Sequence, residues 1–564
     1  MFHRAGPILL GPLTWSVLAV AAGPSWRTTP PPAEPADEQP ARLPKVRPGP
    51  RMTVPPLPPQ LLRHGPYQSV QVNVDAQGRN IVGDAANEPS LAVDPTNPNR
   101  IAIGWRQFDS IQSDFREAGW AYSRDAGRSW TFPGVLEPNV FRSDPVLAAN
   151  TIGELFYYSL TQDFKCQVFK SANGGRSWGP PVPAEGGDKG WMEIDRTDGP
   201  GRGAIYCFSR IGVSTTIGLT RSLDGGRSFS PNVVVPGNPG RGTLALGLDS
   251  VLFAAGISWD NNRFVCARSS NAYDPQATPR FDSLATVDLG GQWTAYVGPN
   301  PGGLVGQVWV ACDVSEGPQR GYVYVLCSVD PPGADPLDVL IARSTDGGRT
   351  WQPPVRVNDD APGTNAWQWF GTMDVSPNGR LDVVWADTRH FPGSYRRSEL
   401  FYSYSTDGGA TWAPNVQVSP DFDSYVGWPQ QNKIGDYYHL RSDKVGTSLA
   451  YAATFNGEQD VYYLRVGEFD CNGNGLPDSE DLSSGRSKDR NHNNIPDECD
   501  GLGDLNCDNK PNNFDIDPFV LALTDPAGYH AAYPDCDIQR ADINGDGAVN
   551  NLDIDPFVQL LTGK

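Results

Sequence analysis

The chain is poor in positive charge. It carries 45 Lys and Arg against 65 Asp and Glu, a formal net charge of −20. An acid surplus of that size repels a phosphate backbone and excludes nucleic acid as a partner. Long apolar runs are scarce too: after residue 22 no stretch is long and apolar enough to span a bilayer. Cysteine is sparse and odd in number. Nine residues cannot all pair internally, so at least one stays free or bonds elsewhere. What the chain has in quantity is turn residues, 61 Gly and 52 Pro, which suit many short strands. Its 564 residues suffice for one large domain and a small one.

Residues 1–22 read as a secretory signal peptide. His3 and Arg4 form the polar start, Ile8 to Val20 the apolar run, and Ala19-Val-Ala21 suits cleavage. The expectation is a secreted or cell-surface protein with no membrane span after cleavage, in a compartment that permits disulfides. Residues 23–66 are proline-rich and read as an extended linker.

One octapeptide organises the middle of the chain. Ser344-Thr-Asp-Gly-Gly-Arg-Thr-Trp351 recurs, with variation, at Ser123–Trp130, Ser171–Trp178, Ser222–Phe229 and Ser405–Trp412. Its chemistry is that of a hairpin turn. The Asp carboxylate accepts backbone N–H groups, Gly takes a positive φ, and the aromatic packs the turn onto a sheet. The boxes start at 123, 171, 222, 344 and 405, and the gap from 222 to 344 is about double the others. A degenerate copy is expected inside it, where Ala267-Arg-Ser-Ser270 echoes Ala342-Arg-Ser-Thr345. Units of about 50 residues, each with several short strands, predict an all-β propeller. Strand clusters begin near Asn87, Phe141, Gly187, Gly240, Gly306, Asn365 and Gly435, which makes seven blades within residues 67–467. Six blades is the alternative if the fourth or seventh cluster is an insertion. The alternating Ser69–Val74 segment is expected to close the ring by joining the last blade.

The octapeptide resembles the Asp-box of sialidases, the bacterial neuraminidase repeat. That resemblance implies a sialidase-like propeller whose boxes are structural turns away from the functional face. The first strand of each blade lines the central channel, so the residues leading into it are the candidate ligand-binding mouth: Glu88, Asp188, Trp191, Trp309, Trp367, Trp369 and Asp436. Sialidases hold a substrate carboxylate with three arginines and use a Tyr–Glu nucleophile and an Asp acid/base. The resemblance makes Arg106, Arg142, Arg210 and Arg389 the available arginines, Asp144 the acid/base candidate, and Tyr437 or Tyr438 the nucleophile candidate. The Arg-Ile-Pro motif of the family is missing, so no arginine triad carries over residue by residue. Two functions stay open. One is a propeller that recognises an extracellular glycan or protein ligand; the other is an exo-sialidase-type hydrolase acting on acidic glycans.

The C-terminal region is a different module: residues 470–564 hold 19 Asp and Glu against six Lys and Arg. In residues 502–564 two loops carry EF-hand spacing for Ca²⁺. Asp504, Asn506, Asp508, Asn512 and Asp515 occupy positions 1, 3, 5, 9 and 12 of the first, and Asp542, Asn544, Asp546, Asn550 and Asp553 those of the second. Asp517 and Asp555 are expected to cap the short helices that follow, with Pro518 and Pro556 at the first helical position. The pair resembles a type I dockerin, which implies a cohesin-like or cell-surface receptor. Residues 468–501 look like thrombospondin type 3 calcium repeats, with Asp470, Asn472, Asn474 and Asp481 in one loop and Asp489, Asn491, Asn493 and Asp500 in the next. Cys471 with Cys499, and Cys507 with Cys536, can staple a module too small for a large core.

Overall fold

The computed structural model describes residues 61–111, 113, 115–426, 433–489, 493–507, 511–534 and 536–562. The segment expected to be a signal peptide, most of the expected linker, Asn491 and Asp508 lie outside these residues. So does the side chain of Asp500.

The described residues form seven antiparallel sheets in sequence order, each a meander from an inner to an outer strand. Blade 1 runs through Ala85–Val93, Ile101–Phe108, Arg116–Ser123 and Thr131–Val135. The first strands of blades 2 to 7 are Arg142–Ala149, Trp191–Ile194, Pro239–Leu246, Trp309–Cys312, Gln368–Val375 and His439–Ser442. These inner strands pack side by side around the axis. The fourth cluster is therefore a full blade, and it extends past Pro279 to an outer strand at Ser283–Thr286. The ring closes through Tyr67–Gln71, which pairs with Asp460–Gly467 of blade 7. Leu61–His64 adds a fifth strand outside it, so the ordered sheet begins inside the segment expected to be linker.

Every box lies at the turn between the third and fourth strands of its blade. In all five the first Ser hydroxyl accepts the N–H of the Gly four residues on, at 2.8–2.9 Å, and donates to the Asp or Asn two residues on. The Thr350 hydroxyl and N–H hold the Asp346 carboxyl far below the usual carboxylate range. Burial opposes the same effect at Asp407, yet the Thr411 hydroxyl and N–H still bring that carboxyl down to about 2. The box glycine also meets the preceding blade. A Cβ on Gly348 (φ 81°) would lie 2.7 Å from Phe253, and one on Gly175 (φ 84°) 2.8 Å from Ala102. In the degenerate copy Ser269 and Asn271 take the Ser and Asp places, and Asn271 Oδ1 accepts the distant Arg280 N–H at 2.8 Å across a longer turn.

The C-terminal part is small, helical and cross-linked. Cys471–Cys499 and Cys507–Cys536 are disulfides, while Cys166, Cys207, Cys266, Cys312 and Cys327 are buried thiols in the blades. Its core is built on Phe519 stacked on Phe557, centroids 4.0 Å apart, the same position of two repeated segments. The helices Ile516–Thr524 and Ile554–Thr562 are each led by a capping box, Asn512 with Asp515 and Asn550 with Asp553. This corrects the expected cap: Asp517 and Asp555 lie inside the helices, because the preceding 3-10 turn already satisfies the first N–H groups. The tail packs on the box side of blade 1. Asn99 donates to the Cys471 carbonyl at 3.0 Å, and Arg128 lies 4.0 Å over Phe469. No helix among the described residues is long and apolar enough to cross a membrane.

Candidate functional site

The inner strands break register as they enter the channel. Shifts fall between Asn87 and Ser90, Ser143 and Val146, Gly240 and Thr243, and Trp369 and Thr372. At these bulges Glu88, Asp144, Arg241 and Phe370 take φ of 50–56°, and Lys189 takes 57° just before the blade 3 strand. Left-handed backbone at five non-glycine residues costs on the order of 1–3 kcal/mol each, so the surrounding packing must hold it. A bulge re-aims one side chain. Here the effect is to gather charges from separate blades at the end of the channel opposite the boxes.

The gathered charges neutralise one another. Arg106 Nε lies 3.2 Å from Glu88 and donates to Asn87 at 2.9 Å. Lys433 Nζ lies 3.4 Å from Glu88 and 3.3 Å from Asp436. Lys189 reaches Asp436 at 2.6 Å, while its N–H meets Asp144 at 3.1 Å. Arg210 pairs with Asp188 at 3.2 Å, and Arg241 lies 3.8 Å over the Trp259 ring. All of these are buried except Lys189 and Trp259, which are half-buried. Burial pushes the Glu88 carboxyl up to about 7, with Arg106 and Lys433 pulling the other way. For Asp436 burial also raises the carboxyl, but Lys189, Lys433 and Arg106 outweigh it and hold it well below its ordinary value.

The segment between Thr286 and Trp309 lies across this mouth. Leu304 N–H donates to Asp436 at 2.9 Å, Asn300 donates to the Gly435 carbonyl at 2.8 Å, and Tyr425 of blade 6 donates to the Gly298 carbonyl at 2.6 Å. Trp367 is half-buried against Gly298, where a Cβ would meet its ring at 2.4 Å. Of the candidates, then, Glu88, Asp144, Asp188 and Asp436 come together with Arg106; Glu88, Asp188 and Asp436 are bound to cations, and Asp144 accepts the Lys189 N–H and the Ser143 hydroxyl.

The other candidates lie elsewhere. Trp191 and Trp309 plug the channel centre, centroids 5.0 Å apart, with Tyr437 and His439 against Trp191. The Tyr437 hydroxyl donates to the Pro145 carbonyl at 2.8 Å, and burial pushes that phenol well above its ordinary value. Burial keeps His439 neutral, its Nδ1 accepting Leu91 N–H at 3.2 Å. Tyr438 packs between blades on Phe370 and Tyr451, and Trp369 is buried with Nε1 donating to Ser398 at 2.9 Å. Arg142 is paired with Glu137 and lies 5.0 Å over Phe169, outside the mouth. Arg389 is bound by Asp387 and Asp359 on blade 6 and lies 4.2 Å over Phe401. Lys189, Lys433 and Arg241 are the mouth residues that sequence reasoning passed over. Lys189 and Arg241 precede glycines at the start of inner strands, the one signal available.

In the tail, Asp542 accepts the N–H groups of Asp546 and Gly547 at 3.1 and 2.8 Å, and Asp553 those of Asn544 and Asn550 at 3.1 and 2.9 Å. This wraps the second loop around its oxygens, each of which keeps a further lone pair. The first loop differs: Arg540 donates to Asp504 at 3.2 Å. In the loop at Asp470 that residue accepts Asn474 and Gly475 N–H groups, and Asp481 accepts the amides of Asn472 and Asn474. Asp489 accepts Asn493 N–H at 3.0 Å.

No family model matches the chain, and no curated protein matches it. Solved structures do resemble it. The phage phi92 endosialidase aligns with a TM-score of 0.40 at 9% identity, covering 72% of this chain and 69% of that one. An intramolecular trans-sialidase from Ruminococcus gnavus gives 0.34 at 13%, covering 68% and 94%. The hydrazine synthase of Kuenenia stuttgartiensis gives 0.39 at 12%, covering 66% and 94%. These names span unrelated reactions and the scores are low, so the likeness carries no argument about chemistry. The propeller assignment rests on the strand order itself.

Proposed function

We propose that the protein is a secreted, sialidase-like propeller that recognises an extracellular glycan or protein ligand and is tethered through a calcium-binding, dockerin-like tail. The observation that carries the recognition reading is the state of the mouth. Its carboxylates are bound to Arg106, Lys189, Arg210 and Lys433, and the Tyr437 phenol is bound to a backbone carbonyl. A sialidase site needs its arginines together and facing an anion. Arg142 and Arg389, two of the four arginines offered for that role, are instead engaged by Glu137 and by Asp387 with Asp359. The tether reading is supported by the tail surface. Phe514, Ile516 and Val520 of one repeat and Leu552, Ile554 and Val558 of the other are all exposed at equivalent positions. A duplicated apolar stripe on so acidic a module suits a protein receptor of the cohesin-like kind. The oxygen-lined second loop, with Asp542, Asn544, Asp546 and Asp553, suits a hard cation such as Ca²⁺. In the first loop Arg540 competes for Asp504, so that site is the weaker of the two.

The test offers the purified protein a fluorogenic sialoside and, separately, a glycan array, with Tyr437→Phe as control. Array binding with no fluorophore release is the expected result. Release that disappears in Tyr437→Phe would overturn the recognition reading in favour of the hydrolase.

A further inference from the structure

The other end of the channel is built differently. Below the Trp191–Trp309–His439 plug, on the box side, lies a cavity of about 490 Å³. That size falls in the range of small-molecule sites. Its walls carry Leu244, Leu246, Ala311, Met373 and Val375 from the lower halves of the inner strands. Its charges are Arg196, Arg202 and Arg441 against Glu193 and Asp374. Most of these are matched. Arg441 binds Glu193 at 2.9 Å and faces Asp374 at 4.0 Å, Ser442 N–H donates to Asp374 at 2.7 Å, and Arg202 pairs with Asp198. Burial also pushes the Asp374 carboxyl up, which weakens its charge. Arg196 has no hydrogen bond or ion pair among the described residues, although it lines this cavity and the adjoining one of about 240 Å³ beside Asp470 and Gly473. The residue is exposed, yet partial burial still lowers the guanidinium below its ordinary value, with Arg441 opposing its charge and Glu193 and Asp374 supporting it.

We propose that this box-side cavity binds a small organic carboxylate, with Arg196 on the carboxylate and the Leu244, Leu246 and Met373 wall on its apolar body. The chain's net charge of −20 repels anions in general, so a guanidinium whose N–H groups make no hydrogen bond or ion pair among the described residues, beside an apolar wall, is where an anion gains most. A cation is disfavoured because Glu193 and Asp374 already face Arg441. The site is separate from the mouth at the opposite end, and stands or falls independently of the recognition reading.

Isothermal titration of the full chain with 3-phenylpropionate, 4-phenylbutyrate and hexanoate, each against its neutral amide, tests the proposal. At least one acid is expected to bind saturably, with its amide and the Arg196→Gln variant about tenfold weaker, a single charge-assisted contact being worth that much. Arg196→Lys should recover part of the loss. Arg196 makes no hydrogen bond or ion pair among the described residues, and the Glu193 and Asp374 charges that favour it are opposed by burial and Arg441, so both variants should melt close to the parent chain. The proposal is overturned if acid and amide bind alike, if Arg196→Gln leaves affinity unchanged, or if no acid of the panel binds at millimolar concentration.

Discussion

Replacing Glu88 by Gln tests the mouth as a buried charge network. Glu88 is 1% exposed and sits between Arg106 and Lys433, with Asp436 and Asp144 near enough to repel it. Burial wins that contest and raises the carboxyl from its ordinary 4.5 to about 7. The sign follows from linkage. A carboxyl that binds its proton more tightly when folded stabilises the fold below pH 4.5 and loses that contribution as pH rises through about 7. At about 1.4 kcal/mol for each pH unit of that span, the loss approaches about 3 kcal/mol. Glutamine keeps the shape and cannot titrate. Urea unfolding of chain and variant at pH 4.5, 6 and 7.5 isolates the term as the difference between them, since Asp374 and Asp460 titrate in both. The stability of the parent relative to Glu88→Gln should fall across that window by about 3 kcal/mol. Asp436 contributes the opposite slope, but its carboxyl is held well below 3.8, outside the window. A parent-minus-variant difference that stays flat, or rises with pH, would refute the claim that desolvation dominates at Glu88.

Two further predictions concern the boxes and the tail. Asp346→Ala removes the acceptor for Arg349 and Thr350 N–H groups and for the Thr350 hydroxyl, and should cost about 1 kcal/mol in thermal unfolding because the turn is solvent-exposed; an unchanged melt would show the box to be ornamental. Calcium titration of the full chain should protect the tail from proteolysis, with Asp542→Ala weakening the response more than Asn550→Ala because it removes a direct charged ligand. Equal protection of both variants would count against the second loop as the site.

The propeller was legible because its information is local and repeated. Each box carries within eight residues the Ser, Asp and Gly that close one turn, and five copies fix the blade period. The degenerate fourth blade is readable from the spacing and from the echo of Ala342–Thr345 in Ala267–Ser270, and its turn keeps the pattern through Ser269 and Asn271. Ring closure by Tyr67–Gln71 was readable from alternation, whereas Leu61–His64 was hidden by the prolines beside it. The helix caps were misread for a different reason. Asp-Pro at a helix start signals a cap, yet the 3-10 turn before it carries a stronger one in Asn512 and Asp515.

The mouth resisted reading because its partners are brought together only by closing the ring. Glu88 and Lys433 are 345 positions apart, and Lys189 meets Asp436 across 247. No local pattern announces such pairs. Composition at strand starts found the carboxylates, which are conspicuous before Pro at Glu88 and Asp144, but it could not say whether they faced solvent or cations. That distinction decides the chemistry. A carboxylate facing water can bind a sugar hydroxyl or act on a bond, while one held by two buried cations is committed to the fold, because removing either partner leaves a charge stranded. Blades 1, 2, 3, 4 and 6 each re-aim one side chain at or just before the first strand, and Glu88, Asp144, Lys189 and Arg241 show that the sign varies from blade to blade. The seven-fold frame therefore sets where the charges go, and the residue at each bulge sets whether they cancel. Here they cancel at the mouth, and a guanidinium with no hydrogen bond or ion pair among the described residues, that of Arg196, lies at the opposite end of the same channel.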